Sequence, residues 1–184
     1  MQDKPLSLHN LLDKQDLQAD EWQEAVETAS PQELQEQDAQ GRTVLIHVIQ
    51  KKKYVEALAL LAHIEEKLDG TQQFGRQTII KQHIKRRDNE LKTATDYLID
   101  QLMEAKSFDP NQWKLWVGLI KHQNSSTRNY QELLLSKFRG FFDHLYPDTA
   151  ENSENDEEIE AGRHGLKKII KHLHALGIEV GYRN

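Results

Sequence analysis

The chain has 184 residues, of which 37% are hydrophobic and 29% charged, with a formal charge of −6 and no cysteine. Lack of cysteine excludes disulfides, thiolate-bound zinc and a cysteine nucleophile, and the acidic balance argues against wholesale phosphate neutralisation on a nucleic acid. Such a composition suits an all-α stack of amphipathic helices better than a β-rich core, and no apolar run reaches the length of a membrane span.

Met1 to Leu6 shows neither a charged leader before a long apolar core nor a small-residue cleavage pattern, so no signal peptide is expected. Leu6 to Leu12 is short and apolar on one side. Asp20 then precedes Glu21 to Ala29, a capped helix in which Trp22, Ala25, Val26 and Ala29 share a face. Ser30-Pro31-Gln32-Glu33 is a capping box with proline at the first helical position. In Asp38-Ala39-Gln40-Gly41-Arg42-Thr43-Val44-Leu45, a carboxylate can tie down turn amides, Gly41 can take a positive φ and the Thr43 hydroxyl can cap the helix it opens. Val44, Leu45, Val48 and Ile49 line one side of that helix. Lys51-Lys52-Lys53 turn the chain into a second helix carrying Tyr54, Ala57, Leu58, Leu61, Ile64 and Leu68, which Asp69-Gly70 ends.

Gln77 to Arg87 is predicted helical, with Ile79, Ile80 and Ile84 on one side and Lys81, Lys85, Arg86 and Arg87 making it basic. Lys92 to Ala105 forms the next helix through Ala94, Leu98, Leu102 and Met103, and Asp109-Pro110 opens another through Trp113, Trp116, Val117 and Ile120. Ser126 opens a long helix in which Tyr130, Leu133, Leu134, Phe138, Phe141, Phe142 and Leu145 recur at three- and four-residue steps. Residues 147–162, with Asp148, Glu151, Glu154, Asp156, Glu157, Glu158 and Glu160, are predicted to form a solvated, flexible acidic loop. A terminal helix with Leu166, Ile169, Ile170, Leu173 and Leu176 then closes on Gly177, and Ile178 to Tyr182 runs extended. The chain thus divides into helical hairpins over 1–106, a long-helix extension over 107–146, the loop, and a terminal helix over 163–184 packing on the same domain, about eight helices in all.

Asp38, Gly41, Thr43 and Leu45 fall on the ankyrin pattern D-x-x-G-x-T-P-L-H-x-A, with Val44 in place of the proline and Ile46 in place of the histidine. Asp88 to Asp96 is similar to a second copy, but Leu91 stands where the pattern has glycine; leucine tolerates positive φ poorly, so an altered turn is expected there. Gly165 to Val180 is similar to the outer helix and following loop of a repeat. The chain therefore resembles the ankyrin repeat family over Trp22 to Leu102 and again from Gly165. Its spacing is irregular, because Asp38 and Asp88 lie 50 residues apart where ankyrin units recur at about 33. The resemblance implies degenerate ankyrin-like helical hairpins stacked with a C-terminal helical bundle, and a protein-binding role in which turn tips meet the partner. On that basis Gln40, Arg42, Asn89, Glu90 and Lys92 are the expected protein-binding residues. Irregular repeats of this kind also occur in effectors that intracellular bacteria deliver into host cells, so a cytoplasmic or host-delivered setting is implied.

The residues speak for no chemistry. His164, His172 and His174 invite a metal, but positions two apart on a helix diverge and positions eight apart are separated by two turns, so no metal ligand or cofactor is expected. Nucleophile-elbow, phosphate-loop and dinucleotide patterns are absent, and Glu65-Glu66 and Glu157-Glu158 read as solvated acids, which leaves no catalytic residue. Lys51-Lys52-Lys53 and Lys81 to Arg87 lack the interleaved aromatics of nucleic-acid readers. Trp113 and Trp116, three apart, are expected in the core. The expected function is a non-enzymatic adaptor or effector-like interaction module. The competing expectation is a regulatory or chaperone-like subunit of a larger assembly that binds through the long helix at Phe141 and Phe142.

Overall fold

The computed structural model describes residues 7–69, 80, 83–122, 134–141 and 156–175. Among them the chain is all-α, with no strand and one isolated antiparallel bridge, Gln37 to Thr43. The helices are α1 Leu8–Leu12, α2 Ala19–Thr28, α3 Pro31–Gln35, α4 Val44–Gln50, α5 Tyr54–Asp69, α6 Ala94–Glu104, α7 Pro110–Ile120 and α8 Asp156–Ala175. Residues 83–85 and 134–141 are helical as well. Two compact units divide at Leu98/Ile99, inside α6, rather than near the expected boundary at residue 106.

Local caps set most of the helix starts. The Ser30 hydroxyl accepts the Glu33 amide while the Glu33 carboxylate accepts the Ser30 amide at 2.8 Å, the reciprocal box read from the sequence. Thr43 caps α4 by accepting the Ile46 amide, and Asp109 caps α7 by accepting the amides of Asn111 and Gln112. Thr93 and Asp96 form a second capping box, so α6 begins at Ala94 instead of Lys92. α2 begins at Ala19, before the expected cap Asp20, since the Trp22 amide already reaches the Gln18 carbonyl; Asp20 and Glu21 instead occupy the first turn, where the helix dipole favours them.

In the first unit α5 is the element against which α2, α3 and α4 pack, and α1 lies on α4 and α2. Trp22, 1% exposed, joins α2 to α5 by donating its indole N–H to the Glu56 carbonyl at 3.2 Å. Every residue of α4 from Val44 to Ile49 is buried, Ile46 and His47 included, so this helix is buried on all sides rather than along the single predicted stripe. Between α4 and α5 the Lys52 amide donates to Ile49 and the Lys53 amide to Val48, with Lys52 at φ 57. That is a Schellman termination with lysine in the left-handed position usually held by glycine. The basic segment is helical only as far as residue 85; Arg86 and Arg87 lie beyond it, and Ile79 and Lys81 lie outside the described residues.

In the second unit α8 packs on α7. Trp113 and Trp116 are buried, and Trp113 meets Phe138 of the 134–141 helix edge-on at 5.1 Å between centroids. Phe108 adds rings against Trp113, Phe138 and Phe141. The predicted acidic loop is corrected over 156–162, which is helical: Asp156, Glu157, Glu158 and Glu160 fall in the opening turns of the 20-residue α8, where a negative charge is favoured by the macrodipole. Gly165 lies inside α8 because it lets the helix approach Pro110, whose ring a Cβ there would meet at 3.0 Å. Tyr130, Leu133, Phe142 and Leu145 of the predicted long helix, with Gly177 and the tail, lie outside the described residues.

Two stability tests arise from these contacts. Replacing Lys52→Gly removes a left-handed side chain at a helix end and is expected to raise stability by about 0.5–1 kcal/mol in urea denaturation. His83 is 4% exposed and its Nε2 meets no hydrogen-bond partner; burial, reinforced by Arg86, lowers its pKa from 6.5 to about 4. The folded protein therefore keeps the ring neutral while the unfolded chain binds a proton, so this contribution to stability is whole above pH 6.5 and is lost as pH falls towards 4. His83→Leu is expected to flatten that part of the decline in denaturation midpoint between pH 6.5 and 4.

Candidate protein-docking edge

Two turns 50 residues apart use one hydrogen-bond pattern. In the first, Asp38 Oδ1 accepts the amides of Gln40 and Arg42, both at 2.9 Å, the Gly41 amide donates to the Asp38 carbonyl and the Asp38 amide to the Arg42 carbonyl. In the second, Asp88 Oδ1 accepts the amides of Glu90 and Lys92 at 2.9 and 3.1 Å, the Leu91 amide donates to the Asp88 carbonyl and the Asp88 amide to the Lys92 carbonyl. Gly41 has φ 74 and Leu91 has φ 62. The turn at Leu91 is therefore unaltered, contrary to expectation: leucine is held in the left-handed region by the same carboxylate bracing.

The turns are stacked. The Asn89 amide donates to the Gln40 carbonyl at 3.0 Å, and the Asn89 side chain donates to the Ala39 carbonyl at 3.3 Å. Arg86 reaches the Gln35 carbonyl at 2.6 Å beside them, and the Gln37 amide side chain donates to the Gly41 carbonyl. This stacking explains where glycine is needed. A Cβ on Gly41 would stand 2.6 Å from Asn89 Oδ1. Leu91 carries no such neighbour and is 70% exposed.

Gln40, Asn89 and Glu90 are exposed, and Arg42 and Lys92 half-buried, so the structure brings all five expected positions to one stacked edge. The two turns spend their second carboxylate oxygens differently. Asp38 Oδ2 accepts Arg42 Nε at 2.6 Å, and Arg42 continues to Gln50 at 3.0 Å. Burial raises the Asp38 pKa, but the Arg42 and Gln40 amides and the Arg42 guanidinium outweigh it, so the net shift is downward. Asp88 Oδ2 instead accepts the Tyr97 hydroxyl at 2.6 Å, Glu90 Oε2 lies 3.1 Å from the same phenol oxygen, and Lys92 Nζ sits over the Tyr97 ring at 5.2 Å. Burial first, then the Asp88 and Glu90 hydrogen bonds, drive the Tyr97 pKa upward, so the phenol stays protonated.

Behind the first turn is a group the sequence reading passed over. His9 of α1 and His47 of α4 set Nδ1 against Nδ1 at 3.2 Å, and Asp38 Oδ2 lies 3.7 Å from His9 Nδ1. His9 Nε2 faces the Glu36 carbonyl at 3.4 Å, while His47 Nε2 faces Asp13 Oδ1 at 3.3 Å without hydrogen-bond alignment. Burial, then Arg42, lowers the His47 pKa. These residues are 38 positions apart and no local spacing marks them. By contrast, His164 and His174 are exposed. Phe138 is buried and Phe141 half-buried, both against the Phe108 ring, and Phe142 lies outside the described residues.

Exchanging the two left-handed residues separates steric need from backbone strain. Gly41→Ala is expected to cost about 1–3 kcal/mol, from positive φ and collision with Asn89 together. Leu91→Gly is expected to be neutral or to stabilise by up to ~1 kcal/mol, since strain is relieved against a larger unfolded-state entropy. Denaturation midpoints of the two variants beside wild type decide it. No family model, curated protein or solved structure matches the chain.

Proposed function

We propose that the chain is a non-catalytic protein–protein interaction module of adaptor type, built on degenerate ankyrin-like hairpins, that docks a protein partner on the stacked turn edge. The observation that carries this reading is Leu91, 70% exposed and held at φ 62. Left-handed backbone costs a leucine about 1–2 kcal/mol, and its apolar side chain points to solvent at the tip of a braced turn. A sequence free to choose glycine for stability and polarity for solubility has neither there, and strain retained at an exposed site is a mark of use. Around it Gln40, Arg42, Asn89, Glu90 and Lys92 supply a polar, mixed-charge rim, the arrangement in which an apolar anchor gains most from exclusion of water. Backbone bracing by Asp38 and Asp88 keeps the edge preorganised, which lowers the entropy cost of docking.

Leu91→Asn tests this, because asparagine accepts the left-handed region and removes the apolar anchor. Affinity purification from the native host is expected to recover a partner with wild type, and the variant to bind it about tenfold more weakly or worse at an unchanged or higher melting temperature. Undiminished binding by Leu91→Asn and by a Glu90→Lys companion would remove the edge from consideration.

A further inference from the structure

We propose that His9, His47 and Asp38 form a binding site for one divalent transition-metal ion, zinc in class, that fastens α1 to α4 and to the first turn. Three observations support it, the first of them from tautomers. His9 Nε2 faces a carbonyl oxygen at 3.4 Å and His47 Nε2 faces a carboxylate oxygen at 3.3 Å. Oxygen acceptors favour a hydrogen on each of those nitrogens, because a lone pair turned to them is repelled. Two neutral rings hold two hydrogens, so both Nδ1 atoms then carry lone pairs, and they meet head to head at 3.2 Å. That contact is repulsive unless a proton or a metal ion lies between them. An outer N–H given to an oxygen, as His9 Nε2 is placed to give to Glu36, with the inner nitrogen left bare, is how proteins prepare histidine for a metal.

Distance is the second observation. Tetrahedral zinc with nitrogen at about 2.0–2.1 Å sets neighbouring ligand atoms about 3.3–3.4 Å apart. The two Nδ1 atoms stand at 3.2 Å, Asp38 Oδ2 is 3.7 Å from His9 Nδ1, and all three ligand atoms lie within 4.8 Å of one another. A small tilt of the two rings towards Asp38 brings an ion off the Nδ1–Nδ1 line into contact with all three. Imidazole with carboxylate is a donor set for zinc and its late first-row neighbours, not for calcium or magnesium.

Burial and charge are the third. His9 is 7% and His47 1% exposed, so the ion would be a structural clasp and not a catalyst open to substrate. Arg42 already takes one lone pair of Asp38 Oδ2, and Lys51 sits on Asp13 at 2.9 Å. These cations partly neutralise the two carboxylates before any ion arrives, which makes the site weaker than a four-thiolate one.

The test uses the full chain treated with a chelator and then titrated with Zn²⁺ alone. Two-bond proton–nitrogen spectra are expected to show both His9 and His47 protonated at Nε2. One equivalent of Zn²⁺ is expected to shift both Nδ1 signals together and to raise the melting temperature in proportion to log concentration. His9→Gln is expected to weaken binding about 100-fold, whereas His164→Asn and His174→Asn leave it unchanged. Zinc that binds only through the exposed histidines, or fails to bind at one equivalent, would overturn the site; so would a shared proton on the Nδ1 pair at neutral pH that Zn²⁺ does not displace. The wild-type spectra decide the matter even if His9→Gln fails to fold, and they are independent of Leu91 and of any docking partner.

Discussion

A carboxylate two and four residues ahead of the amides it holds is the constraint on which the first unit rests. Asp38 and Asp88 each bind two backbone N–H groups that a tight turn would otherwise leave bare, and in doing so fix which residue must go left-handed. Once both turns are alike they can be laid one on the other, and the Asn89 amide finds the Gln40 carbonyl. A single bond of this kind contributes only about 0.5–1.5 kcal/mol. Its larger effect is registration, because Thr43 and Thr93, each five residues after the bracing carboxylate, then start α4 and α6 from neighbouring points.

Repetition with a difference explains the side chains at the tips. Where another turn lands on the first, glycine is demanded twice, by φ 74 and by Asn89 at 2.6 Å from the position of a Cβ. Over the second turn only the backbone demand remains, and a braced carboxylate is strong enough to impose it on leucine. The spare carboxylate oxygens diverge for a related reason. Arg42 serves Asp38 and extends to Gln50, whereas Lys92, without a planar fork, lies over Tyr97 and leaves Asp88 to the phenol.

The parts of this fold legible in the sequence are those set by contacts within a few residues. Ser30 with Glu33, Thr43, Asp109 with Pro110, and the Asp38 to Thr43 turn each carry their partner nearby, so residue type and spacing sufficed. Features that depend on distant packing were misread. α4 is buried on all sides because α1 and α5 lie against it, which its own periodicity cannot express. The acidic run after residue 155 reads as a loop by composition but becomes the start of α8, with the helix dipole favouring its charges and α7 receiving its apolar face. All five edge positions were legible through the turn pattern; Leu91, which the pattern marked as a defect, was not. His9 and His47 were invisible because only the meeting of α1 with α4 makes them neighbours.

Those histidines and the stacked turn edge share one residue, Asp38, and that has a physical consequence. Its Oδ1 holds the turn amides and its Oδ2 holds Arg42, so a force on either oxygen is felt by the edge. A cation beside His9 and His47 competes with Arg42 for the charge on Oδ2 while leaving Oδ1 on its amides, since the two sets of lone pairs point apart. Arg42, half-buried and tied also to Gln50, is then the side chain that loses attraction and gains freedom. With such an ion bound, the backbone of the turn would stay fixed while the Arg42 side chain beside Gln40 loosened, so any coupling that reached the edge would be electrostatic rather than conformational.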